Sequence, residues 1–346
     1  LHTCRAVHTD ERNGVLRPLP LVNGVTYVPT SPGVCDACVS DAQVRAAWAD
    51  LLLGQLPSHE AQARRSASRG LGEVCLEAYA RFEAAYEAWL TEVKNHRWVA
   101  QEPPTLLWMV SEKERIVAAS GLGDTFAAMK REENSVALAM LAELCEELDR
   151  APRPSDEGGV APALELALAC CLAGNLFDAG AAELLAEESY CGSMDCDVDL
   201  ESDSAPGLVL NNDVVAQTFR KTRTSCERGS WRYDDALELA QRLSCSSQPI
   251  RRAIIFCDNA GADVMGMVLL ARTLLRLMDL RQVDGKVALV ANSRPALNDI
   301  TFQELTDFVD AARKSDKVID ELVSDGRSVC LPSGQHTTLL DLGRVS

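Results

Sequence analysis

Two stretches of the 346-residue chain concentrate oxygen-bearing side chains, DNAGAD at 258–263 and ANSRPALND at 291–299. Asp258, Asn259 and Asp263 lie in the first, and Asn292, Asn298 and Asp299 in the second. Carboxylates gathered at one place repel unless they are protonated, hydrogen-bonded or bridged by a cation. Together with an amide carbonyl they form a hard-oxygen donor set suited to Mg²⁺ or Mn²⁺. Gly261 is expected to let the backbone pass close to a ligand. The same residues also cap helices and make turns, so their types alone leave both readings open. The first stretch matches neither GxGxxG nor GxxxxGK[ST], which removes support for dinucleotide or P-loop binding.

A third signal is a lysine in an apolar register. Over a helix predicted at Phe126–Leu148, positions 130, 134, 137, 141, 144 and 148 share one face and read Lys, Asn, Ala, Leu, Leu, Leu. Burying a lysine without a partner is costly, so Lys130 either emerges at the surface or faces an anion; Glu133 lies on the neighbouring flank. A fourth is Gly174-Asn175-Leu176-Phe177-Asp178, where an apolar helix runs into Asn and Asp. Helix termination accounts for it as well as a site does.

The elements that must position these residues follow from periodicity. Trp48, Leu51, Leu52 and Leu56 keep a helical register until Pro57, and Leu76, Tyr79, Phe82, Tyr86 and Trp89 form a second stripe. A helix is predicted over Ala161–Ala173, with Gly174 as its C-terminal stop. After Pro249 the period changes. Ala253–Cys257 and Val287–Ala291 read as buried strands, each followed by an acidic loop and then a helix, Val264–Leu277 and Phe302–Ala312. This strand–loop–helix repetition predicts an α/β fold with a parallel, doubly wound sheet, in which ligands bind beyond the carboxyl ends of the strands. Residues 1–40, rich in Pro, Gly and Thr, read as an extended leading segment, 41–190 as a helical subdomain, 191–212 as an acidic insertion and 213–346 as the sheet-containing core. The insertion lacks the Gly and Glu spacing of a calcium loop, with Leu200 and Pro206 at the deciding positions.

Charge and composition exclude several functions. Residues 101–204 hold 6 basic and 22 acidic side chains, whereas 205–346 hold 18 of each, within a net charge of −17. No basic stripe exists for a phosphate backbone, so nucleic acid is not an expected partner. No apolar run reaches the ~18–20 residues of a membrane span, so no membrane is expected either. The 13 cysteines form no framework: Cys170 and Cys171 are adjacent, and Cys145 and Cys257 sit in apolar runs. That usage fits a reducing cytoplasm. Cys35-Asp36-Ala37-Cys38 lacks a second ligand pair for zinc and reads as a turn.

IIFCDNAGAD and ANSRPALNDIT resemble the two signature loops of the metal-dependent damage-control phosphatases. WADLLLGQLPSHEAQAR, FAAMKREENSVALAMLAEL and LAGNLFDAGAAEL resemble the subgroup found fused to a pantothenate-kinase domain. The resemblance covers about residues 41–345. It implies a helical N-terminal subdomain packed on a Rossmann-like parallel-sheet core. It also implies hydrolysis of a small-molecule phosphate monoester, 4′-phosphopantetheine or its oxidised derivatives, with a divalent ion (Mn, Ni, Co or Mg). By motif, Asp258, Asn259 and Asp299 become metal ligands, with Asp258, Asp299 and Lys130 catalytic. Glu133 and Asn134, Asn175 and Asp178, and Asn292 and Arg294 become the substrate side. A homodimer and a pantothenate-kinase-like domain in the same polypeptide are the protein partners it admits. The family's chain continues past the segment matching LLDLGRVS through a further strand and loop, so the resemblance implies a core lacking its C-terminal part.

Three other functions stay open at the level of sequence. A sugar-phosphate phosphatase would use the same residues. Protein carboxyl methyl transfer, suggested for a related subgroup, would require a nucleoside-binding glycine loop that is not found. A catalytically silent regulatory module would fit a shortened core.

Overall fold

The computed structural model describes residues 42–67, 72–95, 106–152, 161–176, 212–244 and 249–333. The leading segment with Cys35 and Cys38, nearly all of the acidic insertion, Asp178 and the LLDLGRVS segment lie outside the described residues. The chain divides into two compact units. One gathers the residues up to Lys130 with 291–303 and those from 331 onward; the other comprises 131–290 and 304–330.

The first unit contains α1 (Ala42–Leu53), α2 (Leu56–Ser66), α3 (Gly72–Lys94), α4 (Leu106–Ser120) and the first turn of α5 (Ala127–Arg150). α3 is the central element, packing against α1, α2 and α4. Of its predicted stripe Tyr79, Phe82 and Tyr86 are buried, Trp89 packs against them partly buried and Leu76 is half-buried; Leu90, Leu52, Leu56, Ala63, Met109 and Ile116 complete the core. The rings form a continuous stack, with His59 edge-on to Phe82 at 5.8 Å, Phe82 stacked on Tyr86 at 5.2 Å and Tyr86 on Trp89 at 5.7 Å. Two sequence expectations need correction here. Leu51 is 53% exposed rather than part of the stripe, because α1 turns Ala49 and Leu52 inward. Pro57 also does more than end a helix. It occupies the first turn of α2, where a missing N–H costs nothing and the fixed φ favours helix.

The second unit holds the rest of α5, α6 (Pro162–Leu176), α7 (Asn212–Ser225), α8 (Ala236–Ser244), β1 (Arg252–Phe256), α9 (Ala262–Leu280), β2 (Lys286–Ala291), α10 (Phe302–Ser315), α11 (Lys317–Ser324) and β3 (Ser328–Pro332). A few terminal residues of β2, α10 and β3 group with the first unit. β1 and β2 pair in parallel, Arg252 with Lys286 through Phe256 with Val290, and the strand order is β1-β2-β3. Val287 N donates to Arg327 O at one end of β2 and Ser333 N to Ala291 O at the other, so β3 runs in the same direction. Two successive parallel crossovers are thus present, and the expected strand–loop–helix alternation is observed. β2, the central strand, is buried as predicted, but β1 is only half-buried, with Ile254 38% exposed. Among the described residues β1 is an edge strand, which leaves it less covered than an internal one.

α6 and α9 approach closely because both carry glycine at the contact. A Cβ on Gly174 would lie 2.4 Å from Ala262 O, and one on Gly266 would lie 2.8 Å from Cys170 O; Cys171 Sγ donates to Gly266 O at 3.1 Å. Gly174 is therefore not the stop expected from sequence. It is buried inside α6, which continues to Leu176, and its lack of a side chain lets the backbone of the DNAGAD region sit against the helix. Arg272 on α9 ties three elements. Its guanidinium is almost fully buried and bidentate to Asp149 of α5 (3.0 and 2.9 Å) and to Asp316 (3.0 and 3.0 Å). Asp316 in turn caps α11 by accepting Ile319 N–H at 2.8 Å. Cys145, Cys170, Cys171, Cys226, Cys257 and Cys330 are free thiols. No described helix is long and apolar enough to cross a membrane.

The Gly174 contact has a signed consequence. A helical Gly→Ala change without a clash stabilises by about 0.4–1 kcal/mol. Here the added methyl overpacks against backbone, so Gly174→Ala is expected to destabilise by about 1–3 kcal/mol in urea unfolding. Unchanged or raised stability would show that α6 and α9 are free to separate.

Candidate functional site

In the second unit, DNAGAD forms the turn from β1 into α9. Asp258 is exposed and Asn259 is 8% exposed. Asn259 N–H donates to Asp263 Oδ2 at 3.1 Å, so Asp263, buried in the first turn of α9, fixes the loop rather than serving as an open donor. Gly261 has φ 74° and ψ −129°, a conformation essentially restricted to glycine. Its N–H donates to Asn134 Oδ1 at 2.7 Å, and a Cβ there would lie 2.8 Å from Glu133 Cβ. What Gly261 allows to come close in the structure is α5. Glu133 and Asn134 hold the loop in its turn.

In the first unit, ANSRPALND leaves β2 and returns on itself. Asn292 is 3% exposed, and its Nδ2 donates to Asp299 Oδ2 at 2.8 Å. Phe302 N donates to Asn292 O at 2.7 Å, and Asp299 N to Ala296 O at 2.8 Å. Leu297, 39% exposed, sits at φ 49°, a left-handed value uncommon for a non-glycine residue. Asp299 is thus a carboxylate held from both backbone and side chain.

Lys130 resolves the open choice made from its register. It is 0% exposed, so surface emergence is excluded, and the anion it meets is Asp124, at 2.7 Å. It also donates to Asp299 O at 3.2 Å. Asp124 is itself oriented by Phe126 N–H on Oδ1 at 2.9 Å. One buried ammonium therefore joins the start of α5, the turn before it and the Asp299 loop. Asn175 lies exposed in the last turn of α6, and Asp178 lies outside the described residues.

Beside this cluster the first unit contains a cavity of ≈ 450 Å³. Arg294, Pro295 and Leu297 of the Asp299 loop form part of its wall, with Asp124 and Phe126 before α5, and His59, Lys113 and Glu114 from α2 and α4. His59 is 6% exposed and Lys113 4%. Burial, then Lys113, pushes the His59 imidazole down to about 3, so it is neutral. Burial also lowers Lys113, with Glu114 opposing. Burial raises Glu114 to about 7, against the pull of Lys113 and with help from Asp124. Sequence reasoning passed over His59 and Lys113, although both carry the signal that singled out Lys130. Leu52, Leu56, His59 and Ala63 share one register, and Met109, Lys113 and Ile116 another.

The donor types are those a divalent cation takes: Asp258 and Asn259 in the second unit offer a carboxylate and an amide, and Asp299 in the first unit a carboxylate, all hard oxygens. Asp299 is oriented by an amide, as outer-shell partners orient metal-ligating carboxylates. Among the described residues there is no ready-made group of three or more His, Cys, Asp or Glu side chains for a metal, so the expected set depends on the amide.

A family profile, the damage-control phosphatase ARMT1-like domain, matches residues 59–346. The chain belongs to this family. Among individual relatives, Arabidopsis thaliana pantothenate kinase 2 is 37% identical over 196 residues, 55% of this chain and 18% of that protein. The Mus musculus 4′-phosphopantetheine phosphatase is 26% identical over 333 residues, 96% of this chain and 35% of that protein. Arabidopsis damage-control phosphatase At2g17340 is 26% identical over 270 residues, 77% of this chain and 62% of that protein. The chain thus spans less than two thirds of the length of each.

Glu114 carries a pH prediction. Its folded value, about 7, lies above its ordinary 4.5, so the folded state binds the proton more tightly than the unfolded one. Its contribution to stability is full below pH 4.5 and is lost as pH rises through 7. Wild type should therefore lose about 1–2 kcal/mol relative to Glu114→Gln between pH 5 and 8, read from urea unfolding at each pH. A constant difference would show that the Glu114 carboxyl is not perturbed.

Proposed function

We propose that this chain is a metal-dependent phosphomonoesterase acting on 4′-phosphopantetheine and its oxidised derivatives, as a module of the coenzyme A pathway. The observation that carries the reading is the fixed Asp299 carboxylate, held by Asn292 and by the turn that Lys130 anchors. Family membership and the likeness to the mouse phosphatase over 96% of the chain support it. The likeness to pantothenate kinase 2 supports its working in one polypeptide with a kinase-like domain.

In this reading Asp258, Asn259 and Asp299 hold a divalent cation, Mn, Ni, Co or Mg. Such an ion neutralises charge on phosphoryl oxygens and polarises phosphorus toward attack. The chain's own part is preorganisation. Asn292 keeps the Asp299 carboxylate aimed, so no reorientation is required when the ester arrives. Lys130 contributes a positive potential beside Asp299 while its ammonium donates to Asp124 and to the loop carbonyl, which makes it a positioning residue as well as an electrostatic one. Glu133 and Asn134 preserve the Gly261 turn that presents Asp258 and Asn259. Arg294, exposed on the Asp299 loop, is the side chain free to meet the ester, with Asn175 and Asp178 completing the substrate side.

Asp258→Ala and Asp299→Ala are each expected to lower Mn²⁺-dependent release of phosphate from 4′-phosphopantetheine by at least about 10²-fold, with thermal unfolding unchanged within a few degrees. Undiminished turnover in either variant would overturn the assignment.

A further inference from the structure

Asp124 lies outside the motifs that mark the site, in the turn before α5, yet the Asp299 loop is tied to it. Its two carboxylate oxygens are engaged separately. Oδ1 accepts Phe126 N–H at 2.9 Å, a turn bond that Asp and Asn make equally well. Oδ2 meets Lys130 Nζ at 2.7 Å, and Nζ also donates to Asp299 O at 3.2 Å. The Lys130 side chain is 0% exposed and that of Asp124 16%, so little water screens the pair. All of these residues belong to the first unit. The loop they reach needs holding. Leu297, two residues before Asp299, sits at φ 49°, a left-handed value that persists in a non-glycine residue only where the surroundings impose it. The Ala296–Asp299 bridge closes the turn locally, with Asp299 N donating to Ala296 O at 2.8 Å. Lys130 anchors it from 169 positions away in the chain.

We infer that Asp124 is a positioning residue: its charge, not its turn bond, keeps Lys130 against the Asp299 carbonyl and thereby fixes the Asp299 carboxylate. A buried ammonium deprived of this charge shifts toward other acceptors, and the loop carbonyl loses its anchor. Leu297 can then relax, and the carboxylate is no longer held in one orientation. The catalytic consequence rests on the phosphatase reading; the tie between Asp124 and the loop does not.

The test uses the full chain. Asp124→Asn keeps the turn bond and removes the charge. Amide hydrogen exchange across 292–302 is expected to quicken at least about 10-fold relative to that of α3. Mn²⁺ affinity, titrated by electron paramagnetic resonance, should weaken at least about 10-fold, as for other partners that orient metal-ligating carboxylates. At saturating Mn²⁺ the KM for 4′-phosphopantetheine should stay within about twofold of wild type, because the ester's own contacts are untouched. Tm should fall by about 5–10 °C, because a buried ammonium loses a charge partner. Asp124→Asn combined with Lys130→Met removes both charges, so it restores Tm and leaves the local net charge as in wild type. By charge alone its Mn²⁺ affinity would then recover. With the anchor gone, loop exchange should instead stay fast and Mn²⁺ binding weak. Unchanged loop exchange in Asp124→Asn, or recovery of exchange and Mn²⁺ affinity along with Tm in the double variant, overturns the inference. Fast loop exchange in both variants, with no metal-dependent turnover by wild type on any ester, overturns the phosphatase reading alone.

Discussion

A lysine with no exposed surface must be given partners. Lys130 sits in the first turn of α5 at 0% exposure, and it bonds the Asp124 carboxylate and the backbone carbonyl of Asp299. Losing the Asp124 carboxylate would take the opposite charge from a buried ammonium, at a cost of a few kcal/mol. The loop after β2 is therefore not free to choose its conformation. Its end is pinned to the helix, and Asn292 can then grip the Asp299 carboxylate from within the same loop. A carboxylate fixed in this way is useful for binding a hard cation and of little use for merely ending a helix. That difference favours a site over turn chemistry.

The DNAGAD turn is held by a different device. Gly261 takes a conformation closed to other residues, Asn134 bonds its N–H, and Glu133 fills the space where a side chain would be. Gly174 lets α6 press on the same segment from another direction. Backbone crowding rather than charge does the holding here, and the buried Arg272–Asp149–Asp316 cluster braces α9 behind it. The acidic side chain left in solvent, Asp258, is thus carried on an inflexible support.

Much of this was legible because period and composition agree locally. The α5 stripe, both strands and the helices after them were read to within a few residues, and the aromatic stripe of α3 is the core it was expected to be. What failed depended on what lies across from a residue. Gly174 looks like a stop because nothing in its neighbourhood announces α9. β1 looks buried because AIIFC does not reveal that its strand is at an edge. Asp124 was missed as the partner of Lys130 because it lies in a non-helical turn, where i, i+4 arithmetic does not apply. α11 and β3 carry no comparable sequence signal; SVCLP is too short a run to separate from loop.

Lys113 and His59 were missed for a different reason. Both occupy core registers, as Lys130 does, but no motif drew attention to them. The three residues share one logic, in which a polar group stands where periodicity calls for leucine, and the structure gives them different outcomes. Lys130 is neutralised by a neighbour and so becomes part of the framework. His59 stays neutral and packs as an aromatic ring. Lys113 lines the cavity wall with His59 and Glu114 as electrostatic neighbours. A polar intrusion in an apolar stripe is therefore not one signal but a question about partners. A group whose partner is already supplied by the chain, as Asp124 is for Lys130, becomes part of the framework that positions a loop.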